Sequence, residues 1–365
     1  MTSSTDSGSR KKRIAVIGSA GIPNRYGGPE AFAESIAPVL VENGFDVTVT
    51  CDRSKYPDRT AEVDEFRGVR RVFIGVNANG ARSILHDLLA FFAVAGKADY
   101  ILALGVSGGM FFPLFRLICA IRGSRLLINI DGVEWRRDKF NAIAKFVLYW
   151  SDRLAQRFAH VIIYDNAALL EYVLYPDKAV CVEYSGDQAT RGTPAVTAGL
   201  PENFALTICR IEPENNCEII LEGFLKSSLP AYVFVGNWDR SEYGRELKRR
   251  YAAEPRIRIT DAVYDPARIL ELRSRCNVYL HGHSVGGTNP SLVEILFFDC
   301  QIFCFDCSFN RVTAGEAAHY FKDAADLGRQ VDSVRGAAPE RAEVRQKYST
   351  RAIVDKLQTA LEWRT

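Results

Sequence analysis

What this sequence lacks narrows it first. No apolar run approaches the roughly 18–20 residues that a membrane-crossing helix needs. The best candidate, Met110–Ile121, is short and interrupted by Pro113 and Arg116. Charge of one sign is also lacking: 46 Lys and Arg stand against 44 Asp and Glu, leaving +2. That is too weak a field for a general nucleic-acid binder, so no nucleic-acid partner is expected. The nine cysteines are odd in number and scattered, which fits no disulfide framework and suits a reducing compartment. Residues 1–12 are rich in Ser, Thr and Gly and have no apolar segment before the first strand. They read as a disordered tail rather than a signal peptide. The expected location is the cytoplasm, with the inner face of the membrane as a peripheral variant.

Two packed cores are affordable in what remains, since 47% of 365 residues are hydrophobic. Short β-branched runs of strand length occur at Ile14–Gly18, Asp46–Cys51, Val69–Ile74, Tyr100–Leu104, Arg125–Ile130 and Val161–Tyr164. Helical patterns at Pro29–Glu42, Ile84–Ala95, Phe111–Ile121 and Phe140–Phe158 separate several of them. Strands alternating with helices predict a parallel sheet covered on both faces, an α/β architecture. Glycines and prolines break the periodicity near 184–203, after which the alternation restarts. The second round runs through strands at Phe204–Cys209, Tyr232–Val235, Arg256–Ile259, Val278–His281 and Gln301–Phe305. Helices are expected from about Glu214, at Ser241–Ala252, Asp265–Arg275 and Thr288–Phe298, and over Glu343–Trp363. Two such sheets face each other across a cleft at their C-terminal edges, where open α/β folds bind ligands.

Four segments carry the chemistry. The first follows strand one: Gly18 through Tyr26-Gly27-Gly28-Pro29-Glu30. A glycine turn running into a helix lets an anion approach backbone N–H groups. Its spacing is not that of a dinucleotide fingerprint, so a nicotinamide-type site is poorly supported. The second, Asn129 to Lys139, places Asp131, Glu134, Trp135 and Arg137 together after a strand, as in a sugar-gripping surface. A charged loop opening a solvated helix is the plainer alternative. The third, Arg210-Ile211-Glu212-Pro213-Glu214-Asn215-Asn216, offers an arginine for a diphosphate. The fourth runs from His281 to Glu294, with Pro290 placed to open a helix whose N-terminus would seat phosphate. Glu294, one turn deeper, would accept ribose hydroxyls. His281 and His283 lack a third ligand at suitable spacing, so no metal site is expected. Cys300, Cys304 and Cys307 have an iron–sulfur spacing but overlap an apolar run that reads as a buried strand.

Taken together, these segments resemble the retaining GT-B glycosyltransferases of family 4, and most of all the bacterial branch with rhamnosyltransferases of surface-polysaccharide assembly. The likeness spans nearly the whole chain. It implies an acceptor-binding Rossmann-like domain over residues 13–195, a nucleotide-sugar-binding one over 200–345, and a last helix, 346–365, crossing back to the first. It implies that Arg210 meets the diphosphate, that Glu294 holds ribose, and that Gly27, Gly28 and Glu30 lie near the donor phosphate and acceptor. Asp131 stands where the family has a catalytic-face histidine or acid. The implied catalytic set is Asp131, Arg210 and Glu30. Donor contacts are expected from Gly27, Gly28, Arg210, Asn215, Asn216, His283, Gly286, Gly287, Thr288, Asn289, Pro290, Ser291 and Glu294. Acceptor contacts are expected from Tyr26, Glu134, Trp135 and Arg137.

Two departures bear on the donor. Asn215 and Asn216 stand where many relatives carry a lysine, and Gly286 stands where many carry a sugar-binding glutamate. A deoxysugar donor such as dTDP-L-rhamnose fits that loss, with a saccharide or lipid-linked saccharide as acceptor and no cofactor. Met110–Ile121, followed by Arg122 and Arg125, reads as a buried core helix or as a peripheral membrane contact. A nucleotide-sugar epimerase or hydrolase, and a non-catalytic nucleotide-sugar-binding partner, are the rival functions.

Overall fold

The computed structural model describes residues 10–25, 27–59, 61–130, 132–136, 140–334 and 336–363. The first domain opens with β1 (Arg13–Ile17), α1 (Gly28–Glu42), β2 (Asp46–Asp52), β3 (Val63–Phe66) and β4 (Val69–Ile74). It continues through α2 (Ser83–Val94), β5 (Tyr100–Leu104), α3 (Phe112–Arg122) and β6 (Arg125–Asn129). It closes with α4 (Ala142–Phe158), β7 (Val161–Tyr164) and β8 (Ala179–Cys181). The eight strands form one sheet in the order β3-β4-β2-β1-β5-β6-β7-β8. All pair in parallel except β3, which runs antiparallel to β4 at the edge.

Alternation along β1 shows why both faces are covered. Ile14 and Val16 join one core with Phe32, Ile36 and Leu40 of α1. Ala15 and Ile17 face the opposite core, with Phe91 of α2, Phe115 of α3 and Ala155 of α4. Pro113 lies in the first turn of α3, where it removes no helical hydrogen bond, and Gly123 ends that helix at φ 68°.

The second domain begins with β9 (Ala205–Ile208), α5 (Cys217–Leu225), β10 (Tyr232–Gly236), α6 (Glu242–Tyr251) and β11 (Ile257–Asp261). Then come α7 (Pro266–Arg275), β12 (Val278–His281), α8 (Pro290–Ile295), β13 (Gln301–Phe305), α9 (Ser308–Ala314) and β14 (His319–Phe321). Three helices finish the chain: α10 (Ala324–Ser333), α11 (Ala342–Lys347) and α12 (Thr350–Glu362). The six strands lie in the order β11-β10-β9-β12-β13-β14, all parallel.

Several elements differ from the periodicity. The expected helix from Glu214 starts at Cys217, because Asn216 adopts φ 49° and turns the chain first. The expected helix over Thr288–Phe298 is only the six residues of α8. The last stretch is two helices, since the Ser349 side chain accepts the Ala352 N–H and caps a new one. The chain makes its first contacts with the second domain near Gly186, at the start of the composition shift over 184–203. Gly186 N–H donates to Tyr348 O at 3.0 Å, and Ala195 N–H to Ala267 O at 2.9 Å. The strands β3, β8 and β14 and the helices α9 and α10 have no counterpart in the pattern reading.

Helix α12 lies on α1 and contributes Ile353, Val354, Leu357, Ala360 and Leu361 to the first domain's core. Lys356 Nζ anchors it to the buried Glu183 at 2.7 Å. Leu357→Ala removes a fully buried side chain and should cost about 2–5 kcal/mol. Hydrogen exchange should show the loss in α1 and β1, far away in sequence; protection lost in the second domain instead would contradict this docking.

Candidate functional site

The loops leaving the C-terminal ends of both sheets meet at one seam. Gly28 opens α1, and a Cβ built there would lie 3.2 Å from Tyr184 Oη and 3.7 Å from Pro290 Cγ. A Cβ on Gly132 would lie 3.4 Å from Gly286 Cα. Gly287 is closest of all: a Cβ there would overlap the Asp165 carboxylate. The first, second and fourth sequence motifs are thus brought together, and the third is laced to the fourth. Ser284 donates through N–H (3.1 Å) and Oγ (2.8 Å) to Glu214 O. Asn216 Nδ2 donates to Gly282 O at 2.8 Å.

Many polar side chains expected to touch a donor are engaged in holding these loops. Asn215 is buried, and its Nδ2 donates to Arg210 O at 2.7 Å. Asn216 is tied likewise to Gly282, so each asparagine spends one amide N–H on the backbone. Thr288 is buried and its Oγ1 donates to Asp165 O, an interdomain tie. Asn289 Oδ1 accepts from Ser291 N–H at 3.0 Å and from Ser291 Oγ at 2.8 Å. The phosphate seat expected at the start of α8 is therefore already capped, on a helix of only six residues. Buried backbone groups in a tight loop need partners, and these side chains supply them.

Glu30, expected among the catalytic groups, is buried, and its Oε1 accepts the Ala20 N–H at 2.6 Å. It braces the first loop. Trp135, expected to stack on a sugar, is half-buried with its ring 5.3 Å from Tyr149, edge to face, and 5.7 Å from the Arg153 guanidinium. Both contacts come from α4. Glu134 is half-buried beside it. Tyr26, Asp131 and Arg137 lie outside the described residues.

Three groups keep their chemical reach. Arg210 is 43% exposed, its Nη1 3.5 Å from Glu212 Oε1. The N-terminus of α1, 15 residues long, has no side-chain cap at Gly27, lies beside Pro290 and carries the Glu30 carboxylate in its first turn. Glu294 stands one turn into α8, paired with Arg273. Arg273 went unnoticed in the sequence; its signal was an arginine on the buried stripe of α7, beside Leu270 and Leu272. Asp165 and Asn166, directly after β7, were missed as well. Asn166 Nδ2 lies 3.1 Å from Thr313 Oγ1 and 3.4 Å from Thr288 Oγ1.

His281 and His283 stack at 4.5 Å. His281 is buried and its Nε2 has no partner among the described residues. Burial pushes its imidazole down to about 3. Cys304 is buried in β13, while Cys307 Sγ points to His283 O at 3.6 Å. No group of three metal-ligating side chains comes together among the described residues.

Solved structures share this arrangement. Sucrose-phosphate synthase from Thermosynechococcus elongatus aligns with a TM-score of 0.72 at 14% identity, covering 96% of this chain and 95% of that one. The fold is GT-B. A glycosyltransferase from Rickettsia africae ESF-5 aligns at 0.64 with 15% identity, covering 97% of both chains. The catalytic domain of starch synthase IV from Arabidopsis thaliana, bound to ADP and acarbose, aligns at 0.67 with 10% identity, covering 98% and 96%. In sequence, a family described as a domain of unknown function, DUF1972, matches residues 11–185, the first GT-B domain. No curated protein matches the chain in sequence.

Gly287→Ala should force the Asp165 seam apart, destabilising the protein by about 1–3 kcal/mol, as overpacking does. A melting curve that matches the parent would show that the seam yields freely. Acid should weaken the second domain through His281. The folded imidazole refuses a proton that the unfolded chain binds below about pH 6.5, so stability is full above that pH and falls as pH drops toward 3. At pH 5 this group alone should remove about 2 kcal/mol. His281→Leu should therefore narrow the gap between urea midpoints at pH 7 and pH 5; an unchanged gap means the ring titrates as if exposed.

Proposed function

We propose that the chain is a glycosyltransferase that moves a sugar from a nucleoside diphosphate donor to a saccharide or lipid-linked saccharide acceptor. The donor best read from the residues is dTDP-L-rhamnose, transferred with retention during bacterial surface-polysaccharide synthesis. The carrying observation is the seam itself. The uncapped N-terminus of α1 faces the Gly286–Ser291 loop, and Arg210 rises from the loop bonded to Gly282 and Ser284. A diphosphate between them would meet a guanidinium and a helix dipole from opposite domains. Glu294, oriented by Arg273, is suited to accept ribose hydroxyls.

The reaction follows from those groups. The bond from the anomeric carbon to the phosphate oxygen breaks, and its electron pair stays on the departing nucleoside diphosphate. Arg210 and the α1 dipole stabilise that charge as it develops. The acceptor hydroxyl oxygen bonds to the anomeric carbon on the same face, and its proton passes to the leaving phosphate. No strong protein base is then needed, and Asp131 is assigned to orienting the sugar or acceptor. Gly286, with no side chain to offer a sugar hydroxyl, favours a deoxysugar.

A thermal-shift screen against UDP, GDP, ADP and dTDP and their sugars tests the reading. At about 100 times its Kd, a ligand of the folded state adds about 2.7 kcal/mol, and dTDP or dTDP-L-rhamnose should give the largest shift. Arg210→Ala should lose about 2–4 kcal/mol of transition-state stabilisation. No response to any nucleotide, or near-parental turnover in that variant, would sink the assignment. Donor consumed without transfer would point to a hydrolase.

A further inference from the structure

The outer surface of the first domain is unusually apolar. Helices α2, α3 and α4 cover one face of the sheet, with α2 and α3 joined by the Phe91–Phe115 stack at 3.8 Å and α3 packed on α4. Each helix also presents an apolar stripe to the outside. On α2, Leu85, Leu89 and Phe92 recur at intervals of four and three. On α3, Leu114, Leu117 and Ile121 do the same, with Ile121 75% exposed. On α4 the stripe is Ile143, Phe146 and Trp150, with Ile143 76% exposed. An interval of three or four residues puts side chains on one face of a helix. The inner stripes fill the core, so these outer stripes contribute nothing to it, and a soluble monomer rarely exposes so large an apolar patch without a use.

Charge decides what the patch fits. The acids on the three helices are Asp87 and Asp152, and both are buried. Arg116, Arg122, Lys145, Arg153 and Arg157 lie on the same helices. Arg122 and Arg157 are exposed, as are Arg82 and Lys97 at the two ends of α2. An apolar face fringed by cations, with no exposed acid on its three helices, would repel a second copy of itself. No helix is long and apolar enough to cross a membrane among the described residues. We infer that this face docks on the surface of an anionic lipid bilayer, with the stripes entering the headgroup boundary and the arginines meeting lipid phosphates.

The topology gives the docking a consequence. Each of the three helices starts from the C-terminal edge of the sheet, the edge that carries the candidate site. A bilayer against their outer face would lie alongside the mouth of the cleft. If the transferase reading holds, on which this last step rests, a lipid-linked acceptor could enter without leaving the membrane. The Met110–Ile121 segment is thus core on one side and docking surface on the other.

Co-sedimentation of the full chain with phosphatidylcholine vesicles, with and without phosphatidylglycerol, tests this. Binding should be at least about tenfold stronger with the anionic lipid. The exposed-site variant Leu117→Glu/Ile121→Glu/Phe146→Glu should lose it while keeping the parental melting temperature, and Arg122→Glu/Arg157→Glu should lose the preference for anionic lipid. Binding to neither vesicle, or equal binding by the triple variant, overturns the inference. A dimer that the triple variant abolishes, without vesicle binding, overturns it in favour of a second copy. Nucleotide thermal shifts should be the same in parent and variants, so failure here is separable from failure of the transferase reading.

Discussion

The contact on which the site depends is the one between the end of β7 and the loop before α8. Asp165 and Thr288 are joined through a backbone carbonyl and a hydroxyl, and the Asp165 carboxylate lies where a side chain on residue 287 would be. Only glycine permits that approach. Asn166 ties the same β7 end to Thr313 of α9, so buried polar groups join the two domains here, beside the apolar docking of α12 on the first domain.

That constraint explains how the loop side chains are used. Chain segments that leave a sheet and come close to a ligand carry backbone N–H and C=O groups that must still be satisfied. Asn215, Asn216, Thr288 and Asn289 do this, and each is thereby drawn inward. Arg210 keeps a partly exposed guanidinium, and the Glu294 carboxylate is held by Arg273. The two ends of the cleft consequently differ: α1 is long and open at its N-terminus, whereas α8 is short and capped by its own asparagine.

The first domain is asymmetric in a second way. One face of its sheet is sealed by α1 and by α12, which arrives from the far end of the chain. The other is covered by three helices that are apolar inside and outside. The sheet needs both layers for the same reason, since parallel strands are apolar on both faces, but only the second layer leaves apolar surface over.

The sequence carried the central strands almost residue for residue. Val69–Ile74, Tyr100–Leu104, Val161–Tyr164, Val278–His281 and Gln301–Phe305 have the same limits in pattern and structure, because strands covered on both sides read as short, largely apolar runs. Edge strands such as β3, with Asp64 and Glu65 at its centre, and short ones such as β8 and β14 carry no such signal. The ligand-facing loops were legible as places, through their glycines, prolines and arginines. Which of their side chains face inward was not. Thr288 meets Asp165 across 123 positions, and Arg273 meets Glu294 from a different helix. Local pattern reports what a residue does to its own backbone and to one face of its own element. The partners of a buried hydroxyl or carboxylate are chosen only when separate elements pack, within a domain for Glu294 and between domains for Thr288, and that packing is where tertiary structure decided the site.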